Sequence, residues 1–214
     1  MRNNKFLITI CLLTIVSFCN AQPVGFKALQ NASEVKASIE KTVSAVSSIE
    51  SDFIQNQYMT ALAEQMTMKG HFWFKKENKL RWQYTQPMQY QIIMNGSKMW
   101  MKDEQRVNEF NISSNRMFGE INDIMTSCLQ GSIFKKTDKF KISFYENSKQ
   151  FMVLLVPLKK DMKGFLKNIE LYINKKDYSV EKLKMVEPSG DYTSIAFQNK
   201  KTNHEIPDSR FRPD

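Results

Sequence analysis

The sequence predicts one long antiparallel β-sheet, curled, with two helices against its concave face, a mainly β (α+β) fold. Three observations lead there. Side-chain polarity alternates with period two over most of the chain beyond residue 66, Gly, Pro and Asn fall between the alternating runs, and two stretches break the alternation with apolar residues at helical spacing. Roughly ten strands are more than an open sheet carries without curling, and helices cover the concavity that results.

The N-terminus comes first. Met1 opens a basic segment with Arg2 and Lys5, Phe6 to Phe18 is apolar, and Cys19-Asn20-Ala21 offers a small-residue cleavage site before Gln22. This is the pattern of a secretory signal peptide over residues 1–21. The apolar run is too short to cross a bilayer, which takes roughly 20 residues. Lipid modification of Cys19 is the competing reading, and the bulky Phe18 before the cysteine fits it poorly. Removing 21 of 214 residues leaves 193, one domain over 22–214 with room for one core. Two of the three cysteines go with the signal, so Cys128 remains and no internal disulfide can form. Loss of Arg2 and Lys5 takes the net charge from +9 to +7, a basic balance open to anionic lipid, acidic polymers or nucleic acid. Lysines spread as evenly as these favour a solvated face instead.

The elements follow in order. Ser33 is an N-cap candidate with Glu34 in the first turn, and Val35, Ile39, Val43 and Val46 recur at helical spacing, so a helix is expected over 33–48. From Met66 to Lys75, Met66, Met68, Phe72 and Phe74 share one strand face and Thr67, Lys69, His71 and Lys75 the other. Leu80, Trp82 and Tyr84 alternate with Lys79, Arg81 and Gln83 until Pro87. Tyr90, Ile92 and Met94 start another strand, which turns at Asn95-Gly96 and returns through Met99 and Met101. A second helix is expected from about Asn115 to Gln130, and Gly131 stops it. Strands resume at 140–144, 151–156, 169–173, 180–186 and 193–197.

Residues 70 to 84 concentrate five aromatic rings among lysines and glutamines. If Phe72, Phe74, Leu80, Trp82, Tyr84, Ile92, Met94, Met99 and Met101 merge on one curved face, two helices are too few to fill it, and an apolar cavity remains. Arg81, Gln83 and Lys98 should then face solvent. The second helix is read as a lid, with Phe118, Ile121, Ile124, Met125 and Leu129 covering the cavity. Twelve of the thirteen methionines lie beyond the signal, and flexible thioethers suit surfaces that repack around variable apolar partners. An ordinary core rich in Met and aromatic residues explains the same composition.

Gly70, Phe72-Trp73, Asn78, Arg81-Trp82, Pro87, Ile92-Ile93, Asn95-Gly96 and Met99-Trp100 stand in an order and spacing that resembles the LolA family, periplasmic carriers of outer-membrane lipoproteins. Phe53-Ile54-Gln55 resembles that family's Phe-x-Gln, and the likeness continues to Ile206-Pro207 and Phe211. The resemblance implies an unclosed β-barrel whose hydrophobic cavity, lidded by helices, binds the acyl anchor of lipoproteins. It also implies an inner-membrane release complex as donor and an outer-membrane acceptor, with the carrier a monomer in the periplasm. The sequence departs from the family at Lys76-Glu77, where well-studied members have an Arg-Pro pair whose arginine helps to hold the lid shut. Lysine lacks the planar, multi-donor guanidinium. A family phenylalanine lining the cavity is matched by Leu80.

The mechanism follows from the implied cargo. A triacylated anchor carries on the order of forty methylenes, and their exposure to water would cost roughly 30 kcal/mol. Transfer across an aqueous compartment therefore needs a container, which must also release its cargo. No nucleotide motif, cofactor signature or metal-ligand cluster appears, so direction would come from affinity differences between donor and acceptor. Catalysis has little support: His71 lies on the polar face of a strand, His204 lies in a polar segment near the end, and no Gly-x-Ser-x-Gly, phosphate loop or Cys-x-x-Cys is present. Nucleic-acid binding, suggested by basic residues around Trp73, Trp82 and Trp100, is at odds with the export signal. A related module that carries or senses another lipid or glycolipid shares the same cavity physics and stays open as an alternative.

Overall fold

In a computed structural model, residues 23–76, 78–112 and 116–213 are described, except for the side chains of residues 116–118, 121 and 122. The proposed signal segment lies outside them. The first half of the chain contributes β1 (Lys27–Ala28), α1 (Ala32–Ser44), β2 (Ser48–Met59), β3 (Glu64–Lys75), β4 (Lys79–Gln86), β5 (Tyr90–Asn95), β6 (Lys98–Lys102) and β7 (Val107–Asn111). After α2 (Arg116–Gln130) and a 3-10 turn (Ser132–Lys135) come β8 (Phe140–Glu146), β9 (Gln150–Pro157), the one-turn α3 (Lys160–Lys163), β10 (Asn168–Asn174), β11 (Val180–Val186) and β12 (Tyr192–Thr202). A 3-10 turn, Asp208–Phe211, ends the fold.

All the strands join one antiparallel sheet in the order β1-β8-β9-β10-β11-β12-β2-β3-β4-β5-β6-β7. Strands β1 and β7 are its two edges and do not pair, so the barrel is unclosed. Two runs of neighbouring hairpins, β2 to β7 and β8 to β12, are sewn together where β12 returns to pair with β2. The chain leaves one edge at β7, passes through α2, and re-enters beside the other edge at β8. That route is what brings α2 over the concave side.

Three strands escape the alternation read from sequence: β1, β2 and β7. The most consequential is β2, which lies mid-sheet between β12 and β3. Its inward positions are Ile49, Ser51, Phe53, Gln55 and Gln57, apolar and polar by turns, so the period-two signal is diluted on the very face that is buried. Ser51 closes its hydroxyl on Gln198 O at 2.7 Å. Strand β7 reads VNEFN with every residue exposed, and an edge strand with solvent on its side chains needs no apolar face.

The first helix stops at Ser44, not residue 48, and Val46 reaches the core from the connecting segment. The second helix begins at Arg116. Asn95 pairs with Lys98, so the tight turn is Gly96-Ser97, one residue beyond the expected Asn95-Gly96. Gly96 takes φ +62° there, the first-position glycine of a two-residue hairpin.

One core cluster joins Ile39 and Val43 of α1, Ile124 and Cys128 of α2, and Ile133 and Phe134 of the 3-10 turn to the concave faces of both strand runs. The convex face of β3 to β5 is covered separately, by the C-terminal segment. Ile206 and Phe211 are buried there with Ile93, Asn95 donates to Phe211 O at 3.3 Å, and the Arg210 guanidinium lies 4.8 Å from the Trp73 ring centroid. This cover corrects the expectation for Arg81. The residue does point away from the concave side, but it is only 3% exposed, donating to Arg210 O at 3.1 Å and Gln91 Oε1 at 2.8 Å. Gln83 is half-buried, and Lys98 is exposed beside Glu109.

Candidate functional site

The strand register places the expected apolar residues in rows. Phe72 stands opposite Trp82, Trp82 opposite Ile92 and Ile92 opposite Met101, while Phe74, Leu80, Met94 and Met99 form the parallel row two residues along. Tyr84 stands opposite Gly70 and Tyr90. Residues two apart on a strand share a face, so all nine share the concave one. Phe72, Phe74, Leu80, Trp82 and Met99 are buried, and Tyr84, Ile92, Met94 and Met101 are half-buried.

Gly70 lets β3 and β4 approach at this point. A Cβ there would fall 1.9 Å from Gln83 O and 2.8 Å from the Phe53 ring, and the strand register shifts between Lys69 and Gly70. The absence of a side chain seats Phe53 against Trp82, with centroids 4.5 Å apart.

Two cavities on the concave face are lined by described residues. The first, about 270 Å³, lies between the helices and the sheet, lined by Val43, Val46, Ile49, Phe72, Cys128, Leu129, Val180 and Phe197. Thr42, Asp177, Ser179, Lys200 and Thr202 add polar groups to its lining. The second, about 250 Å³, involves no helix and is lined by Gln55, Gln57, Met66, Met68, Tyr84, Gln86, Pro87, Met88, Tyr90 and Ile92. Rings fill the space between: Phe72 meets Trp82 at 4.9 Å, Trp82 meets Phe53, and Phe53 meets Tyr84 at 5.3 Å.

Of the residues expected to line one cavity, Phe72 faces the first and Tyr84 and Ile92 the second. Phe74, Leu80 and Trp82 belong to the packed core, with Met94 against it. From the second helix, Leu129 lines the first cavity, Ile124 is buried and Met125 packs on the core. The side chains of Phe118 and Ile121 lie outside the described residues. Sequence reasoning missed Phe53, Ile49, Val180, Phe197 and Lys200 as contributors. The alternation 193–195–197 carried a signal for Phe197, but nothing local marked Lys200.

Electrostatics sort these groups. Burial pushes the Cys128 thiol up to about 12, so it is a neutral apolar wall and no nucleophile. Burial also lowers the Lys200 ammonium, which the Asp177 and Glu181 carboxylates oppose; Nζ donates to Val180 O at 2.9 Å. The Tyr84 hydroxyl, raised to about 12 chiefly by burial, donates to Gln55 Oε1 at 3.0 Å. Both histidines lie with acids of β2 on the outer face: His71 Nδ1 is 2.6 Å from Asp52, and His204 Nε2 is 2.9 Å from Glu50.

Polar contacts among the described residues tether the helices. Lys76 Nζ donates to Ser44 O at 2.6 Å, satisfying a carbonyl in the last turn of α1. On α2, Asp123 pairs with Lys136 and, at 2.9 Å, with Lys139, and Glu120 lies 3.5 Å from Lys139. Burial alone would raise the Asp123 carboxyl; the two lysines overcome it and hold the group below its ordinary value. No helix among the described residues is long and apolar enough to cross a membrane.

An open antiparallel barrel with an apolar concave face, covered by helices over an internal cavity, defines the class: a container for an apolar ligand. Residues 44–214 match the model of the outer membrane lipoprotein carrier protein LolA family, and the chain belongs to that family. It is similar, at 22% identity over 89% of its length and 86% of the relative's, to the outer-membrane lipoprotein carrier protein of Chromohalobacter salexigens. It is 23% identical over 98% of its length to an uncharacterized protein of Methanocaldococcus jannaschii, of which it spans 58%. Among solved structures it is similar to a LolA superfamily protein of Nitrosomonas europaea, at 10% identity and TM-score 0.44, covering 84% of this chain and 96% of that one. Another is the Mycobacterium tuberculosis lipoprotein LppX, at 10% identity and TM-score 0.47, covering 81% and 97%.

Proposed function

We propose that this protein is a periplasmic carrier that takes the acyl anchor of lipoproteins into its concave face and shuttles them from the inner to the outer membrane. It would load at an inner-membrane release complex, unload at an outer-membrane acceptor, work as a monomer and do no chemistry itself. Membership of an outer-membrane lipoprotein carrier family supports this reading, and the observation that carries it is the apolar cavity of about 270 Å³ between α1, α2 and the sheet. Its size has a mechanistic consequence. A methylene needs about the volume of a water molecule, roughly 30 Å³, so the closed cavity admits on the order of nine. A triacylated anchor with on the order of forty methylenes requires α1 and α2 to lift, which makes them the lid and the described structure the closed form.

The test is release of lipoproteins into the soluble fraction from membranes that carry them, on adding the purified protein, with mass spectrometry of lipid co-purified from the periplasm. Soluble lipoprotein in one-to-one complexes supports the proposal. An empty cavity and no release refute it. The polar residues on the first cavity, Asp177, Ser179, Lys200 and Thr202, favour a second reading in which the cargo is a lipid or glycolipid with a hydrogen-bonding head. Mass spectrometry would report that molecule instead of a lipoprotein.

A further inference from the structure

Because every strand runs antiparallel to its neighbours, the β2–β3, β4–β5, β6–β7, β9–β10 and β11–β12 connections share one end of the barrel. Among the described residues seven large apolar side chains are exposed, and five of them, Leu62, Met66, Met88, Val107 and Leu158, lie at that end. The turns at the opposite end, 96–97, 147–149 and 175–179, expose none of the seven. The segment 158–167, which joins β9 to β10, adds charge. Lys159, Lys160, Lys163 and Lys167 are exposed on it, and Lys141, exposed on β8, stands beside Val156. No ion pair among the described residues uses these ammonium groups, whereas Lys75 and Lys79 are engaged by Asp208 and Lys136 and Lys139 by Asp123. Asp161 is the one acid of the segment, which leaves it at +3. Nor is this a loose loop. Met162 and Leu166 are buried, and Leu158 N donates to Lys139 O and Lys167 N to Val186 O, both at 2.8 Å. Leu158 is therefore held out, 47% exposed, by a backbone fixed on both sides.

We propose that this end of the barrel docks onto the surface of an anionic lipid bilayer, with Leu158 entering the headgroup layer and the lysines around it meeting lipid phosphates. An apolar side chain flanked by basic ones is the pattern of an interfacial contact, and a cluster of roughly four to eight cations is drawn to a negatively charged leaflet. The lysine stems lie along the boundary while their ammonium groups stay in water. A protein partner fits this surface less well. Protein interfaces are enriched in arginine and aromatic rings and depleted in lysine; segment 158–167 has no arginine, and its one ring, Phe165, is half-buried. The acids at this end, Glu64, Asp103, Glu104, Glu187 and Asp191, belong to the β2–β3, β6–β7 and β11–β12 connections. They tilt the contact, so that segment 158–167 leads and the acidic turns stay clear of the membrane. The surface meets headgroups and not cargo, so the proposal goes beyond the carrier reading and does not rest on it.

The experiment measures co-sedimentation of the full chain with vesicles of phosphatidylglycerol and phosphatidylcholine, and with vesicles of phosphatidylcholine alone, at low and high salt. Residues 1–21 are common to every arm, so the reading is parent against variant. The triple variant Lys159→Glu, Lys160→Glu, Lys163→Glu should lower partition onto the anionic vesicles by roughly tenfold or more. A control with the same change in net charge at exposed lysines of the opposite end, Lys149→Glu, Lys176→Glu, Lys201→Glu, should lower it much less. Leu158→Ser should lower it severalfold, and high salt should weaken the parent towards the triple variant. Nitroxide-labelled lipid in the anionic vesicles should broaden the methyl signals of Leu158 and leave those of buried Leu171 sharp. Equal losses in the two triple variants, or a Leu158 signal that the nitroxide leaves untouched, would overturn the proposal. So would binding of soluble polyglutamate as tight as that of the vesicles, with the same lysine dependence and none on Leu158, since the surface would then be one for an acidic polypeptide. The vesicles hold no lipoprotein, so failure here leaves the carrier reading standing, and failure of the release assay leaves this one.

Discussion

Replacing Lys76 by methionine isolates one tether of the proposed lid. The aliphatic stem is kept, as is the backbone bond from Lys76 N to Ser47 O at 2.8 Å, and what disappears is the ammonium that donates to Ser44 O at 2.6 Å. A hydrogen bond from a charged donor contributes about 1.5–3 kcal/mol when buried. Lys76 is only half-buried, and a cation at a helix C-terminus typically contributes about 0.3–1 kcal/mol, so about 1 kcal/mol is the appropriate figure. That raises the population with α1 released by roughly fivefold. If loading requires α1 to lift, the apparent affinity for an acylated cargo tightens by up to about the same factor, because the competent fraction limits binding. Hydrogen exchange over residues 32–46 reports the release and a cargo titration reports the affinity. Faster exchange with weaker or unchanged affinity would show that α1 is scaffold and that the lid reasoning is wrong.

Other outcomes follow from burial and charge. Gly70→Ala should cost about 3 kcal/mol or more, since the clash at 1.9 Å is with the Gln83 backbone oxygen; a thermal melt within a degree or two of the parent would contradict it. Ile124→Asp puts a carboxylate at a position 4% exposed, so stability as well as binding should fall, by about 3 kcal/mol or more. Leu129→Gln, half-buried on the first cavity, should reduce cargo binding with a much smaller loss of stability, read by release assay beside denaturant titration. The Lys75 and Lys79 ammonium groups hold the Asp208 carboxyl down to about 2. Its folded value lies below the unfolded 3.8, so its hold on the C-terminal segment is full above that value and is lost as pH falls through about 2. Asp208→Asn should therefore speed carboxypeptidase trimming at neutral pH, and the parent's near-ultraviolet signal from Trp73 should converge on the variant's in acid.

How much of this was legible depended on how each residue's burial is encoded. The rows Phe72–Trp82–Ile92–Met101 and Phe74–Leu80–Met94–Met99 alternate with charged or polar neighbours, so pattern alone put them on one face, and the family resemblance was borne out. Strand β2 was illegible for the converse reason: Ser51, Gln55 and Gln57 point inward, and no periodicity scale counts a serine that bonds a backbone carbonyl across the sheet as core. Arg81 was misread because its neighbours alternate as a solvent face should. The cover comes from residues 206–211, more than a hundred positions away, where Arg210 O and Gln91 Oε1 accept from the terminal guanidinium nitrogens and so reduce the cost of burying the charge. The split of the concave face into two cavities depends on how the rings of Phe53, Trp82 and Phe197 settle against one another, and side-chain contacts of that kind leave no trace in spacing.

If α1 and α2 are the lid proposed above, their buried contacts also constrain how such a carrier works. An acyl chain drawn from a bilayer is already out of water, so its transfer into the cavity gains little of the roughly 0.8 kcal/mol per methylene that hydrophobic burial provides from solution. That gain cannot drive the opening. Lifting α1 and α2 would uncover Ile39, Val43, Ile124 and Cys128, all buried in the closed form, and exposing even roughly 400 Å² of apolar surface costs about 10 kcal/mol. Either a donor protein must cover that surface as the lid rises, or the chains must enter as the helices leave, so that apolar contact is exchanged and never opened to water. The tethers fit the second route. Among the described residues they include one lysine on a carbonyl and half-exposed ion pairs, each contributing about 1 kcal/mol or less, while the buried apolar contacts of Ile39, Val43, Ile124 and Cys128 are ones an incoming acyl chain can replace.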